Sequence, residues 1–205
     1  MSLKTTTVLA MGALGIALVG CTSTNNSNAG YDDIDRMEAE RDLSYPVYQQ
    51  DTILDEAENA FGQASAEIAE VINDVFARQG QPQAYIAGEE VGGAIGVGVT
   101  YGRGMLYRPN QQPVEVFWQG PSIGFDVGGD ASKVFTLVYD LGATENIYRR
   151  YPGGGGNIFF IGGAGAEAMT QDGVTIVPIR TGVGARSGVS VEYMKFTKTR
   201  DVNPF

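Results

Sequence analysis

Ile95-Gly96-Val97-Gly98-Val99-Thr100-Tyr101 sets a large side chain at every second position and a small one between each pair. In an extended chain successive side chains point to opposite faces, so this stretch reads as a strand with one bulky face and one nearly bare one. The pattern returns in 158–168, where Gly162, Ala164, Ala166 and Ala168 share a side, and in 181–189, where Gly182, Gly184, Arg186 and Gly188 oppose Val183, Ala185 and Val189. Residues 133–141 carry instead a heavy aromatic and aliphatic face built on Phe135, Leu137, Tyr139 and Leu141. Asp172-Gly173 between two such runs is a hairpin signal, and Gly120-Pro121 and Pro152 with glycines 153–156 mark further turns.

Glycine numbers 29 in 205 residues, about twice the usual share. Strands that alternate glycine with bulk bend tightly and leave room for aromatics from the facing wall. The reading is a mainly β fold, a closed or nearly closed antiparallel β-barrel over 81–205, with a short helical turn at 144–151 on its rim. One long amphipathic helix is expected before it, over 51–80. Leu54, Phe61, Ile68 and Val75 recur every seven residues with Ala57, Ala64 and Val71 between them. Thr52 with Asp55 and Glu56 approximates a cap, and Gly80 with Pro82 supplies the stop. The stripe is expected to pack on its own barrel, with a partner helix as the alternative.

Upstream the chain changes character. Residues 1–20 have the order of a bacterial lipoprotein signal peptide: Lys4 in a short n-region, an apolar run from 8 to 19, then Leu18-Val19-Gly20-Cys21. That run is too short to span about 30 Å of hydrocarbon comfortably. The tetrapeptide resembles a lipobox, whose cysteine receives the lipid. The alternatives are an ordinary secretory signal and a short membrane anchor. Several acyl chains on Cys21, each buried methylene contributing about 0.8 kcal/mol, would hold the protein on a membrane without spanning it. Thr22 stands where aspartate would favour inner-membrane retention in that sorting pattern, so the expected address is the periplasmic face of the outer membrane. Residues 21–50 are a polar, then acidic linker that cannot bury enough apolar surface to fold alone.

Composition removes several chemistries. There is no histidine, which excludes Ser-His-Asp and Cys-His nucleophile systems, and a single cysteine, which excludes a disulfide framework. With 24 acidic side chains against 14 basic ones, nucleic-acid binding is not expected. No cofactor is expected either. The cluster Gly96-Val97-Gly98 with Gly102 has the wrong spacing for a dinucleotide fingerprint and lacks the lysine of a phosphate loop.

Asp126 and Asp130 are the paired carboxylates that a glycan hydrolase would use, but beside Gly128 and Gly129 they are better read as turn residues accepting backbone hydrogen bonds. Glu89-Glu90 is read as a pair of solvated loop charges. Tyr101, Trp118 and Phe125 lie near glycine-rich turns and are candidates to line a pocket for a lipid tail or glycan face, against a packed core as the alternative. Arg149-Arg150 beside Tyr148 and Tyr151 would suit an anionic partner, against a solvated rim.

Four stretches, 92–106, 116–130, 134–139 and the closing Asn203-Pro204-Phe205, carry a resemblance. With Trp118-Gln119-Gly120-Pro121-Ser122-Ile123-Gly124-Phe125-Asp126 at their centre, they resemble the envelope integrity protein A (EipA) family of periplasmic proteins. The resemblance implies a small eight-stranded antiparallel barrel and a part in keeping the cell envelope intact, without known catalysis or established site residues. A more distant likeness, in 91–106 with Tyr101-Gly102-Arg103-Gly104, is to SYLF lipid-binding domains. The function expected is a non-enzymatic, lipid-anchored periplasmic module that binds a partner protein, a peptidoglycan-associated component or a lipid. The alternatives are a lipid carrier and, through Asp126 and Asp130, an envelope glycan hydrolase.

Overall fold

A computed structural model describes residues 45–62, 66–126, 131–154, 158–161, 164–181, 190–191 and 193–201, with side chains for all of these but 93–97, 122–126, 158–161 and 190–191. Cys21 and Asp130 therefore lie outside the described residues, as do the side chains of Phe125 and Asp126.

The first strand, β1, is Ala84–Tyr107. Unbent, its 24 residues would reach about 80 Å. Strand β2 (Val114–Asp126) runs antiparallel to its second half, from Ala94↔Asp126 to Leu106↔Val114. Strand β3 (Ser132–Tyr139) runs antiparallel to its first half, from Ala84↔Val138 to Glu90↔Ser132. β2 and β3 thus follow one another along the same strand. Between the two pairings β1 turns back on itself, because a Cβ on Gly88 would lie 2.7 Å from the Cα of Gly104. A straight strand would hold those residues about 50 Å apart.

The remaining strands are β4 (Arg150–Pro152), β5 (Ile158–Ile161), β6 (Ala164–Glu167), β7 (Met169–Gln171), β8 (Val174–Thr181), β9 (Ser190–Val191) and β10 (Tyr193–Thr197). Their order is β4-β10-β2-β1-β3-β8-β6-β5, with β7 on β8 and β9 on β2. β8 pairs with β3, and β9 and β10 pair with β2, all antiparallel. The result is the expected mainly β, antiparallel, barrel-like fold: an eight-strand path that curls, with β4 and β5 at its ends. Asp172 and Gly173 join β7 to β8 with φ of +49° and +81°. Both lie in the left-handed region that a two-residue hairpin matching the strand twist requires.

The alternation read in the sequence becomes two cores, one on each face of the sheet. Phe135, Leu137 and Tyr139 of β3, Tyr85 of β1, and Val177 and Ile179 of β8 face the helices. Val134 and Val138, with Ala84, Ile86, Leu106, Val116, Trp118, Ile176, Met194 and Phe196, fill the interior of the curl. Ala164, Ala166 and Ala168 belong to the helix side, so the small-residue face of β6 is a seat for a helix rather than a lumen wall. Burial pushes the hydroxyls of Tyr85, Tyr139 and Tyr151 well above the usual phenol range, so all three stay protonated at neutral pH.

The single long helix expected over 51–80 is two: α1, Gln50–Phe61, and α2, Ala66–Gln79. Gly62 ends α1 in the left-handed conformation, φ +86°, its N–H donating to the Glu58 carbonyl over 2.8 Å. The seven-residue stripe survives the break, since Leu54, Ala57, Phe61, Ile68, Val71 and Val75 all join one core cluster. α1 buries Ile53 and Ala57, leaving Leu54 and Phe61 at the edge, whereas α2 buries Ile68, Val71, Ile72 and Val75. Both helices pack on their own sheet. Gly62→Ala is expected to cost about 1 kcal/mol, the cost of holding an L residue in the left-handed region. An unchanged chemical-denaturation midpoint would show that the break is not held by this glycine. Residues 144–147 form a 3-10 turn, a shorter piece of the rim helix read over 144–151.

Candidate functional site

The bend in β1 brings glycines together on the interior face. A Cβ on Gly102 would fall on the Trp118 indole, and one on Gly88 would lie 2.8 Å from the far edge of the same ring. The indole therefore lies against bare backbone, paired laterally with Gly102 and tilted 42° to the Phe196 ring, centroids 5.8 Å apart. Its Nε1 donates to Glu90 Oε2 over 3.2 Å. Arg180 from β8 grips the same carboxylate, Nε to Oε1 at 2.6 Å and Nη2 to Oε2 at 3.3 Å. Glu90, Trp118 and Arg180 thus clip β1, β2 and β8 together. The reading of Glu90 as a solvated charge is corrected here: it is 8% exposed, because position 90 shares the interior side of β1 with Ile86 and Gly88. The signal was available in the alternation, which assigns Glu89 and Glu90 to opposite faces.

On the outer face of the same ladder, Tyr101 opposes Gln119 and Arg103 opposes Phe117. Directly opposed residues of an antiparallel pair share a face. Together with Glu89, Val91, Ala131, Arg200 and Asp201 they line a groove of about 500 Å³, to which Gly102 and Trp118 also contribute. One rim is the segment after β10. It is folded back by Lys195, whose Nζ pairs with Asp201 over 3.1 Å, and by a turn in which the Thr197 hydroxyl donates to the Thr199 carbonyl. The helices cover the sheet elsewhere, through Tyr85, Phe135 and Val177, and leave this stretch open.

Two of the sequence candidates, Tyr101 and Trp118, come together here on opposite faces of the ladder, Tyr101 half-buried as a wall of the groove and Trp118, only 3% exposed, beneath it in the interior. Arg149 does not join them. Its guanidinium binds the β7–β8 hairpin and the rim, through the carbonyls of Gln171 and Asp172, the Asp172 carboxylate at 3.4 Å and the Asn146 side chain. Arg150 lies over the Tyr193 ring, 4.4 Å from its centroid. Sequence reasoning missed Arg103, Phe117, Arg200 and the Glu90–Arg180 pair. Among the described residues no cluster of carboxylate or cysteine side chains could hold a metal ion, and no helix is long and apolar enough to cross a membrane.

The envelope integrity protein A family model matches residues 46–205. The chain belongs to the EipA family. The match takes in both helices and every strand among the described residues, so the helices are part of the family's domain. The crystal structure of a beta-barrel-like, uncharacterized protein from Brucella abortus is similar, with 40% identity over 78% of this chain and 99% of that one and a TM-score of 0.71. The virulence-associated protein VapB from Rhodococcus equi is also matched, at 14% identity over 58% of this chain and 100% of that one, with a TM-score of 0.35. Among curated proteins none matches the chain. Membership in EipA associates the protein with the cell envelope and its integrity.

Proposed function

We propose that this EipA protein is a non-catalytic periplasmic module, held through acylated Cys21 to the outer membrane, that supports the envelope by binding one of its components in the Tyr101–Phe117 groove. The observation that carries the reading is the groove itself, an open aromatic and charged surface beside a helix-covered core. Glu90, the buried carboxylate closest in sequence to the groove, is held by Arg180 and Trp118, which suits structure better than proton transfer. The lipid-carrier alternative is less well supported, because Leu106, Val116, Ile176, Met194 and Phe196 fill the interior where an acyl chain would lie.

The test is complementation of a deletion strain. Tyr101→Ala with Phe117→Ala is expected to leave a folded, envelope-located protein that no longer restores resistance to detergent and cell-wall antibiotics. Cys21→Ser is expected to move the protein from the membrane fraction to the soluble one. Full rescue by the double variant would remove the groove from the function, and membrane retention of Cys21→Ser would remove the lipid anchor.

A further inference from the structure

We propose that the groove is selective for an anionic sugar, a pyranose carrying a carboxylate or phosphate. This deepens the reading above and rests on the groove being the binding site. Arg103 and Arg200 both line it, both are exposed, and neither makes an ion pair or hydrogen bond with a described residue. Each therefore presents unspent donors in the planar fork that matches carboxylate and phosphate oxygens. In a chain with a formal net charge of −10, two free cations on one groove provide local recognition of an anion that the molecule as a whole repels.

The rest of the lining selects the shape of that anion. Tyr101 and Phe117 are half-buried, on diagonal positions of the β1–β2 ladder, and offer flat apolar rings against which the C–H face of a pyranose can lie. Glu89, exposed and at the other wall, accepts hydrogen bonds from ring hydroxyls or an acetamido N–H. The volume, about 500 Å³, is within the range of small-ligand sites and suits one or two sugar rings. A long acyl chain would need an aliphatic channel, whereas this lining alternates aromatic and charged groups.

The chain has one tryptophan, whose indole packs on the interior face beneath the groove, so its emission reports on shifts of the β1–β2 ladder while equilibrium dialysis reads binding itself. The full-length protein is titrated with N-acetylmuramic acid and N-acetylglucosamine 1-phosphate, and with N-acetylglucosamine, inorganic phosphate and decanoate, following Trp118 fluorescence and, independently, equilibrium dialysis. The expected result is saturable binding of one or both anionic sugars, at least about tenfold tighter than the neutral sugar or phosphate and weaker as salt rises. Arg103→Gln with Arg200→Gln should abolish that preference while leaving the denaturation midpoint in place, since both side chains are exposed. Equal binding of neutral and anionic sugars, inorganic phosphate matching the sugars, decanoate binding most tightly, or no binding by either method would each overturn the proposal. The complementation result for Tyr101→Ala with Phe117→Ala stands apart from these: loss of rescue without sugar binding keeps the groove and discards the sugar.

Discussion

Arg180→Met is expected to destabilise the protein by about 3–5 kcal/mol, the usual cost of removing one member of a buried ion pair. The Glu90 and Arg180 side chains are only 10% and 19% exposed, and the two hydrogen bonds between them run along the fork of the guanidinium. Methionine matches the arginine stem in length but leaves the Glu90 carboxylate with Trp118 Nε1 as its remaining described partner. Glu90→Leu combined with Arg180→Met should recover most of the loss, because the pair's attraction is set against the desolvation of both ions and an apolar pair avoids that desolvation. Denaturant midpoints of the wild type, both single variants and the double variant close the cycle. A cost below about 1 kcal/mol for Arg180→Met would place the pair among solvent-screened surface bridges instead.

Gly88→Val is expected to cost about 3 kcal/mol or more, at the upper end for overpacking. The obstacle is backbone: a Cβ at position 88 meets the Arg103 carbonyl and the Gly104 Cα, and neither can swing aside as a side chain tip would. The Trp118 ring edge at 2.8 Å blocks the remaining direction. Relief requires the bend in β1 to open, which would also shift the β2 ladder and the groove. In a domain of this size that loss lowers Tm by roughly 6–12 °C. Gly173→Asn is the control, since position 173 has no heavy atom within 4 Å of a Cβ and a φ of +81° that asparagine tolerates. Differential scanning calorimetry of the two variants decides the matter: equal midpoints would mean that β1 does not fold back as tightly as described.

Much of this architecture was legible before any coordinates. Alternation of Val, Ile and Tyr with glycine announced bent strands, Asp172-Gly173 announced its hairpin, and the block around Trp118-Gln119-Gly120-Pro121 carried the family resemblance that the match over 46–205 bears out. The helix was legible as a helix but not as two. A stripe repeating every seven residues runs through Gly62 as though it were any other residue, whereas that glycine ends the hydrogen-bond ladder of α1. Pro82 close after Gly80 marks that glycine as a stop; Gly62 has no such marker.

The groove was half legible. Tyr101 and Trp118 stood out as aromatic residues near glycine turns, but Arg103, Phe117 and Arg200 looked like ordinary strand and tail residues. Period-two patterning assigns residues to faces and cannot say which part of a face a helix will cover. The outer face of β1 holds both Tyr85, under the helices, and Tyr101, in the open groove, with the same alternation at each. What separates them is the reversal of β1 between its two pairings.

From sequence alone came the fold class, the strand periodicity, the family and the exclusion of histidine-dependent chemistry, because these depend on local residue type and spacing. Only the tertiary structure decided that Glu90 is an interior partner of Arg180 ninety positions away, and that a single bent strand turns one part of its outer face to the helices and another to solvent. The physical reason is that burial and pairing are set by which distant segments the bent sheet brings into contact, a quantity no local pattern contains.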